Sequence, residues 1–210
     1  MQIKKQVDAT HYNFGRYMSK KRWASVWHQL DEILRLSPAS VLEIGPGLGI
    51  TKDVLSRLSV TVETVDIDHD LNPDYVATAT SLPLADASFD VVCAFQVLEH
   101  LEYTSSRLAF KELSRVAKRF IVISLPDAKT SWSVSFQMPV FGEFSFRYKK
   151  PNFLIEKNEF DGEHYWELNR RGTERDRVIG DFSKDGSAKI KKSFSVKENP
   201  YHCFMIFEKL

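Results

Sequence analysis

Val41-Leu42-Glu43-Ile44-Gly45-Pro46-Gly47-Leu48-Gly49 is the stretch from which the rest of the chain can be arranged. Val41, Leu42 and Ile44 around a single acid have the character of a buried parallel strand. Glycines at alternate positions end that strand, and Ile50–Leu58 follows as an expected helix. A strand that stops in a glycine-rich turn at a helix N-terminus is a nucleotide-cradling element, because a side chain there would hold the ligand off the backbone. The spacing matters. A dinucleotide fingerprint G-x-G-x-x-G beginning at Gly45 needs its third glycine at position 50, which is Ile50. The pattern here places an acid two residues before the first glycine, which suits a cationic ligand with no pyrophosphate to hold.

Outward from the turn, strands and helices alternate. Upstream, Tyr17–Leu36 is predicted as a helix from the 3/4 spacing of Trp23, Val26, Trp27, Leu30, Ile33 and Leu34, with Ser37-Pro38 ending it. Its start, Arg16 to Trp23, sets aromatics and cations where they can cap a ligand and pair with a carboxylate, or simply solvate the helix. Downstream, Val60–Ile67 reads as a second strand ending at Asp66. That acid lies 21 residues beyond Gly45, where a carboxylate can accept from both ribose hydroxyls, with Asp68 as the competing choice. Tyr75–Ala79 is a short third strand and Phe89–Val97 a buried fourth one. Ser105–Lys118 is an amphipathic helix with Leu108, Leu113 and Val116 inward, and Phe120–Leu125 is a fifth strand stopped by Pro126. Such alternation implies a parallel, doubly wound α/β sheet with ligands beyond the carboxyl ends of its strands.

After Asp127 the periodicity fades. Between Ser131 and Phe160 come Trp132, Phe136, Phe141, Phe144, Phe146, Tyr148 and Phe153, an aromatic insertion expected as a lid or as the contact of a homodimer, or else as a hairpin on the core. Arg171–Phe182 is read as a polar helix. Ala188–Val196 and Tyr201–Lys209 are strand-like and close enough for an antiparallel hairpin.

At 210 residues the chain is expected to be one domain. Residues 1–37 are a helical cap, 38–127 the binding core, 128–170 the lid and acceptor insertion, and 171–210 a helix and hairpin. No apolar run reaches the roughly 18 residues of a membrane span. Met1–Ala9 has two lysines with no apolar stretch behind them, so no signal peptide is expected. Cys93 and Cys203 sit in apolar runs and read as buried thiols of a reducing, cytoplasmic protein, and no metal site is expected. A net charge of +1 argues against a dedicated nucleic-acid binder. From Leu58 to Ser106 there is no Lys or Arg among nine acids, a distribution that favours a cationic ligand or a solvated surface.

Glu43–Gly49, Asp66, Leu82-Pro83-Leu84-Ala85-Asp86-Ala87-Ser88-Phe89-Asp90-Val91-Val92 and Val97-Leu98-Glu99-His100-Leu101, taken in order, resemble the type-11 branch of the class I S-adenosylmethionine (SAM)-dependent methyltransferases. The resemblance covers Ser40 to Asp127. It implies a Rossmann-like seven-stranded sheet, mostly parallel with the last strand antiparallel. It also implies a SAM cofactor, with S-adenosylhomocysteine as product. By that resemblance the methionine end lies at Glu43, Gly45, Pro46, Gly47 and Gly49, and the ribose at Asp66 beside Ile67. The adenine lies near Ser81 and Leu82, and the reactive methyl by Gln96 and Val97. Where family members often carry an Asp before Leu-Pro, this chain has Thr78-Ala79-Thr80-Ser81, whose hydroxyls can accept the same bond.

Methyl transfer from a sulfonium is an in-line displacement in which alignment does most of the work. An oxygen acceptor also needs a base, most often histidine. His164, beside Glu163 in Gly162-Glu163-His164-Tyr165-Trp166-Glu167, and His100 at the end of the fourth strand are the candidate catalytic residues. His100 can instead bond a loop carbonyl. The expected acceptor is a small or carrier-bound metabolite taking the methyl on oxygen or nitrogen. An RNA or protein methyltransferase docking through the basic C-terminal half, and a non-catalytic SAM-binding module, stay open as alternatives.

Overall fold

The computed structural model describes residues 18–128, 156–184 and 186–210, and the backbone of 131–138 and 142–149. Strand β1 (Ser40–Ile44) is central, and strands β2 (Thr61–Asp66), β3 (Tyr75–Val76), β4 (Phe89–Phe95), β5 (Ala117–Pro126), β8 (Ala188–Ser195) and β9 (His202–Lys209) join it. The order is β3-β2-β1-β4-β5-β9-β8. Pairings from β3 through β5 are parallel, while β9 is antiparallel to both β5 and β8. This is the expected Rossmann-like sheet, closed by the tail hairpin read from the sequence.

Because side chains alternate along a strand, each central strand feeds two cores. Leu42, Ile44, Val92, Ala94, Ile121, Ile123, Met205 and Phe207 pack on one face with Phe110, Leu113, Val178 and Phe182. Those partners come from helices α3 (Tyr103–Val116) and α4 (Arg175–Phe182). Val41, Val91, Cys93, Phe95, Val122, Phe204 and Ile206 pack on the other face with Ile33 and Leu55. These come from helices α1 (Lys20–Arg35) and α2 (Ile50–Arg57). Fully burying side chains of this size contributes about 1.5–3 kcal/mol each.

Helix α1 begins where Ser19 accepts a hydrogen bond from the Arg22 N–H at 3.2 Å, a cap worth about 1 kcal/mol. Its docked face is narrower than the spacing predicts. Val26 and Ile33 are buried, whereas Trp23 and Trp27 are 51% and 56% exposed. On α3 the inward arc is Ser106, Ala109, Phe110, Leu113, Ser114 and Val116, and Leu108, expected inside, is 59% exposed. Small residues on that arc bring the helix close to the sheet, and the Ser106 hydroxyl donates to the Leu98 carbonyl at 2.7 Å. Leu108 falls on the far side of this arc.

The third strand is only two residues long, since the chain leaves the sheet at Ala77 for a turn in which Thr78 and Ser81 bridge. The aromatic insertion contains a separate antiparallel hairpin, β6 (Ser131–Met138) with β7 (Gly142–Lys149), in register from Ser131 opposite Lys149 to Met138 opposite Gly142. The expected roles of its aromatic side chains, as lid or dimer contact, lie outside the described residues. No helix among the described residues is long and apolar enough to cross a membrane.

Candidate active site

The carboxyl ends of β1, β2 and β4 open into one cavity, as the topology requires. At the end of β1 the chain turns sharply. Gly45 has φ +70°, and its N–H donates to the Val65 carbonyl at 2.9 Å. A β-carbon there would stand 2.6 Å from Val97 Cγ2, so only glycine lets the turn meet the loop after β4. Gly47 also has positive φ (+53°), and Gly49 (φ +71°) caps α2.

Glu43 lines this cavity and is buried. Its Oε2 has no hydrogen-bond partner among the described residues. Burial pushes its carboxyl up to about 8, against the Thr51 hydroxyl and the nearby Lys52 ammonium, which favour ionisation. A buried acid with one unanswered oxygen is suited to receive a cation.

Asp66 ends β2 and lines the same cavity, with Oδ1 accepting from the Asp68 N–H at 2.8 Å. Asp68, the competing acid, is buried, lines the cavity too, and caps the short 3-10 turn His69–Leu71 by accepting from the Asp70 N–H. Pro46, Ile67, Gln96 and Val97 also line the cavity. Gln96 has φ +57° and is held by its backbone N–H to the Ser124 carbonyl at 3.0 Å and its side-chain amide to the Ser124 hydroxyl at 3.2 Å.

Ser81 and Leu82, expected near an adenine, are not among the residues lining the cavity, which include Ala77 and Ala79. Leu82 is in the core, its N–H donates to Glu112 at 3.0 Å, and its carbonyl accepts from Arg115 at 3.1 Å. Arg115 also donates to the Leu84 carbonyl and to Asp86, which fixes the 82–86 loop from behind. Gly49, at the start of α2, is not among the lining residues, though its neighbours Leu48 and Ile50 are.

Two walls come from remote parts of the chain. Helix α1 contributes Arg22, Val26 and Gln29, the segment just before it Met18, and β9 His202. His202 is buried, its Nδ1 has no partner among the described residues, and desolvation, aided by Arg22, holds its pKa down to about 3. It is a neutral imidazole on the wall. No pattern in the sequence singles it out.

Beyond Val97 lies a polar cluster. Glu99 is fully buried, and neither carboxylate oxygen has a hydrogen-bond partner on another described residue. Desolvation raises its pKa to about 8. His100 lines the cavity, and its Nδ1 lies 2.9 Å from the Glu163 carbonyl oxygen. Burial lowers its pKa. The His164 ring stands edge to face with that of His100, 5.0 Å between centroids. His164 Nδ1 is 3.4 Å from Glu167 Oε1, and burial, which would lower its pKa, is outweighed by Glu167 and Glu99, which raise it.

The expected acid partner of His164 was its neighbour Glu163, but that carboxylate is exposed and only its carbonyl enters the cluster. The acid beside His164 is Glu167, one helical turn away in sequence, which also accepts from Tyr201 and from Arg170. The His164 hydrogen bond, with those two, holds Glu167 down to about 2. His164 itself does not line the cavity; it stands behind His100.

Residues 42–120 match a family described as a methyltransferase domain of type 11. By sequence the chain matches no curated protein. Its fold is shared with several solved structures. One is the PH0226 protein of Pyrococcus horikoshii OT3, at TM-score 0.62 and 15% identity over 97% of this chain and 100% of that one. Another is a Burkholderia thailandensis 1,6-didemethyltoxoflavin-N1-methyltransferase with S-adenosylhomocysteine bound, at TM-score 0.60 and 14% identity over 95% and 84%. A third is the magnesium protoporphyrin IX methyltransferase of Synechocystis PCC 6803, at TM-score 0.59 and 14% identity over 94% and 88%.

Proposed function

Since residues 42–120 form a class I SAM-dependent methyltransferase domain of the type-11 branch, we propose that the chain methylates a small or carrier-bound metabolite on oxygen or nitrogen. The observation that carries this reading is Glu43: a buried carboxylate with an unanswered oxygen, on the wall of the cavity formed by the glycine turn. It fits the ammonium of SAM. Asp66, at the end of β2, would hold the ribose hydroxyls, and Gly45 and Gly47 would let the backbone approach the methionine end. When bound, SAM supplies a methyl carbon activated by a positively charged sulfur.

The chain's own residues then define the acceptor. Gln96 and Val97, held by Ser124 and by the Gly45 contact, form the wall against which the two partners are aligned. Met18, Val26 and Leu101 supply apolar surface, while Arg22, Gln29 and the neutral His202 supply polar groups. A compact polar acceptor suits such a wall better than a folded macromolecule. The acceptor's proton would be lost at the cluster of His100 and His164, with the Glu163 carbonyl fixing the first ring and Glu167 the second.

Calorimetry with SAM, S-adenosylhomocysteine and NADH tests the cofactor, and a metabolite screen for S-adenosylhomocysteine release tests the transfer. Micromolar-scale binding of the first two, with none of NADH, is expected. Comparable NADH binding overturns the cofactor reading, and SAM binding with no turnover on any metabolite overturns the acceptor class.

A further inference from the structure

We propose that Glu99, His100 and His164 together bind one divalent first-row transition-metal ion. One ligating atom of each residue lies within 4.8 Å of the others, a span that small side-chain rotations close to the coordination distances of about 2.0–2.2 Å for nitrogen and oxygen ligands. Two imidazoles and one carboxylate are a donor set used by zinc and non-haem iron, and it leaves positions open for a further ligand.

The surroundings fit a metal site. Ligating histidines usually have their second ring nitrogen held by a carbonyl or a carboxylate, which fixes the tautomer. Both kinds occur here. The Glu163 carbonyl can only accept, so His100 Nδ1 carries the proton and the lone pair belongs to Nε2. His164 Nδ1 is turned to Glu167, itself anchored by Arg170 and Tyr201.

Glu99 supplies an independent observation. It is fully buried, and neither of its oxygens bonds another described residue, although it stands beside both rings. A carboxylate taken out of water without partners is costly, and a cation in contact with it removes that cost. A second group of acids and one histidine, Asp68, His69 and Asp70, is mostly exposed, with only Asp68 buried.

Because His100 forms part of the cavity wall, the open coordination positions would face that cavity. An acceptor oxygen bound there would be oriented toward Gln96 and Val97. That last step rests on the methyl-transfer reading, with the ion acidifying an acceptor hydroxyl in place of a histidine base, whereas ion binding does not.

The test uses the full chain, stripped by chelator, and titrated with Zn(II) against a colorimetric competitor and with Co(II) followed by visible absorption. One ion per chain is expected. Glu99→Gln and His164→Ala should each weaken Zn(II) binding by at least about 10-fold, the lower end of what even outer-shell changes cost. His69→Ala should leave it unchanged. Calorimetry with S-adenosylhomocysteine and thermal melts run alongside; both variants should still bind it and melt cooperatively. Absence of stoichiometric Zn(II) and Co(II) binding to the wild type overturns the site. So does binding that survives both substitutions or is lost in His69→Ala. If wild type takes the ion but not S-adenosylhomocysteine, the metal site stands and the methyltransferase reading falls.

Discussion

Replacing Glu43 by Gln separates the acid's electrostatic role from its shape. With a pKa near 8 in the folded, ligand-free chain and 4.5 as the reference value, Glu43 carries a proton at neutral pH that the unfolded chain has lost. The folded state therefore binds more protons, so this group's contribution is fully present below pH 4.5 and is lost as pH rises toward 8. Between pH 5 and pH 7 wild type should lose about 2–3 kcal/mol of stability on this account, and Glu43→Gln should not. Ligand binding reverses the pattern. To pair with an ammonium, Glu43 must first release its proton, so affinity for S-adenosylhomocysteine should rise about tenfold per pH unit from 6 to 7. It should level off above pH 8, where Glu43 has already lost its proton. Calorimetry at pH 6.5 in buffers of different ionisation enthalpy reads this directly: about one proton released per ligand in wild type and none in Glu43→Gln. Equal proton release in both proteins, or an affinity independent of pH in wild type, refutes the pairing.

Asp66→Ala should weaken S-adenosylhomocysteine by about 1.5–3 kcal/mol for each charged hydrogen bond lost, while still melting cooperatively despite losing the bond from the Asp68 N–H. Asp68→Ala should instead lower the melting temperature, since it removes the cap on His69–Leu71; the reverse pattern would exchange the two assignments. Gly47→Val places a β-branched residue at φ +53°, costing about 1–2 kcal/mol of backbone strain. It should abolish ligand binding in calorimetry, and a variant that binds normally would remove the cradle. His202 has a folded pKa of about 3, so the unfolded chain binds the extra proton below its own value near 6.5. Stability from this group is therefore lost as pH falls, by about 2 kcal/mol between pH 7 and pH 5. Denaturant titrations should show that loss in wild type relative to His202→Gln, and parallel pH curves would contradict a buried neutral imidazole.

The alternation of strand and helix, the glycine turn and the tail hairpin were legible in the sequence because each depends on residues a few positions apart. Local periodicity identifies an element, and a chain of right-handed crossovers leaves few ways to order its strands. Glu43, Gly45, Gly47, Asp66, Gln96 and Val97 meet at one cavity for that reason: each stands at or just past the carboxyl end of a parallel strand. What the spacing leaves open is which arc of a helix docks. Trp23, Trp27 and Leu108 fit an apolar stripe, yet the close approach made by Ser106 and Ala109 and the burial of Val26 and Ile33 turned them outward. The polar half of the site was decided by tertiary structure alone. His164 was read with its neighbour Glu163, but in the fold it meets Glu167, His100 and the buried Glu99. His202 reaches the cavity only because β9 runs antiparallel beside β5, which sets it opposite Pro126 at the ligand-binding edge. Apart from His164 with Glu167, such meetings join residues about 60 to 180 positions apart, and no periodic pattern encodes them. They follow from the docking of loops onto strand ends, where burial removes water and makes a neighbour's charge decide the protonation of each group.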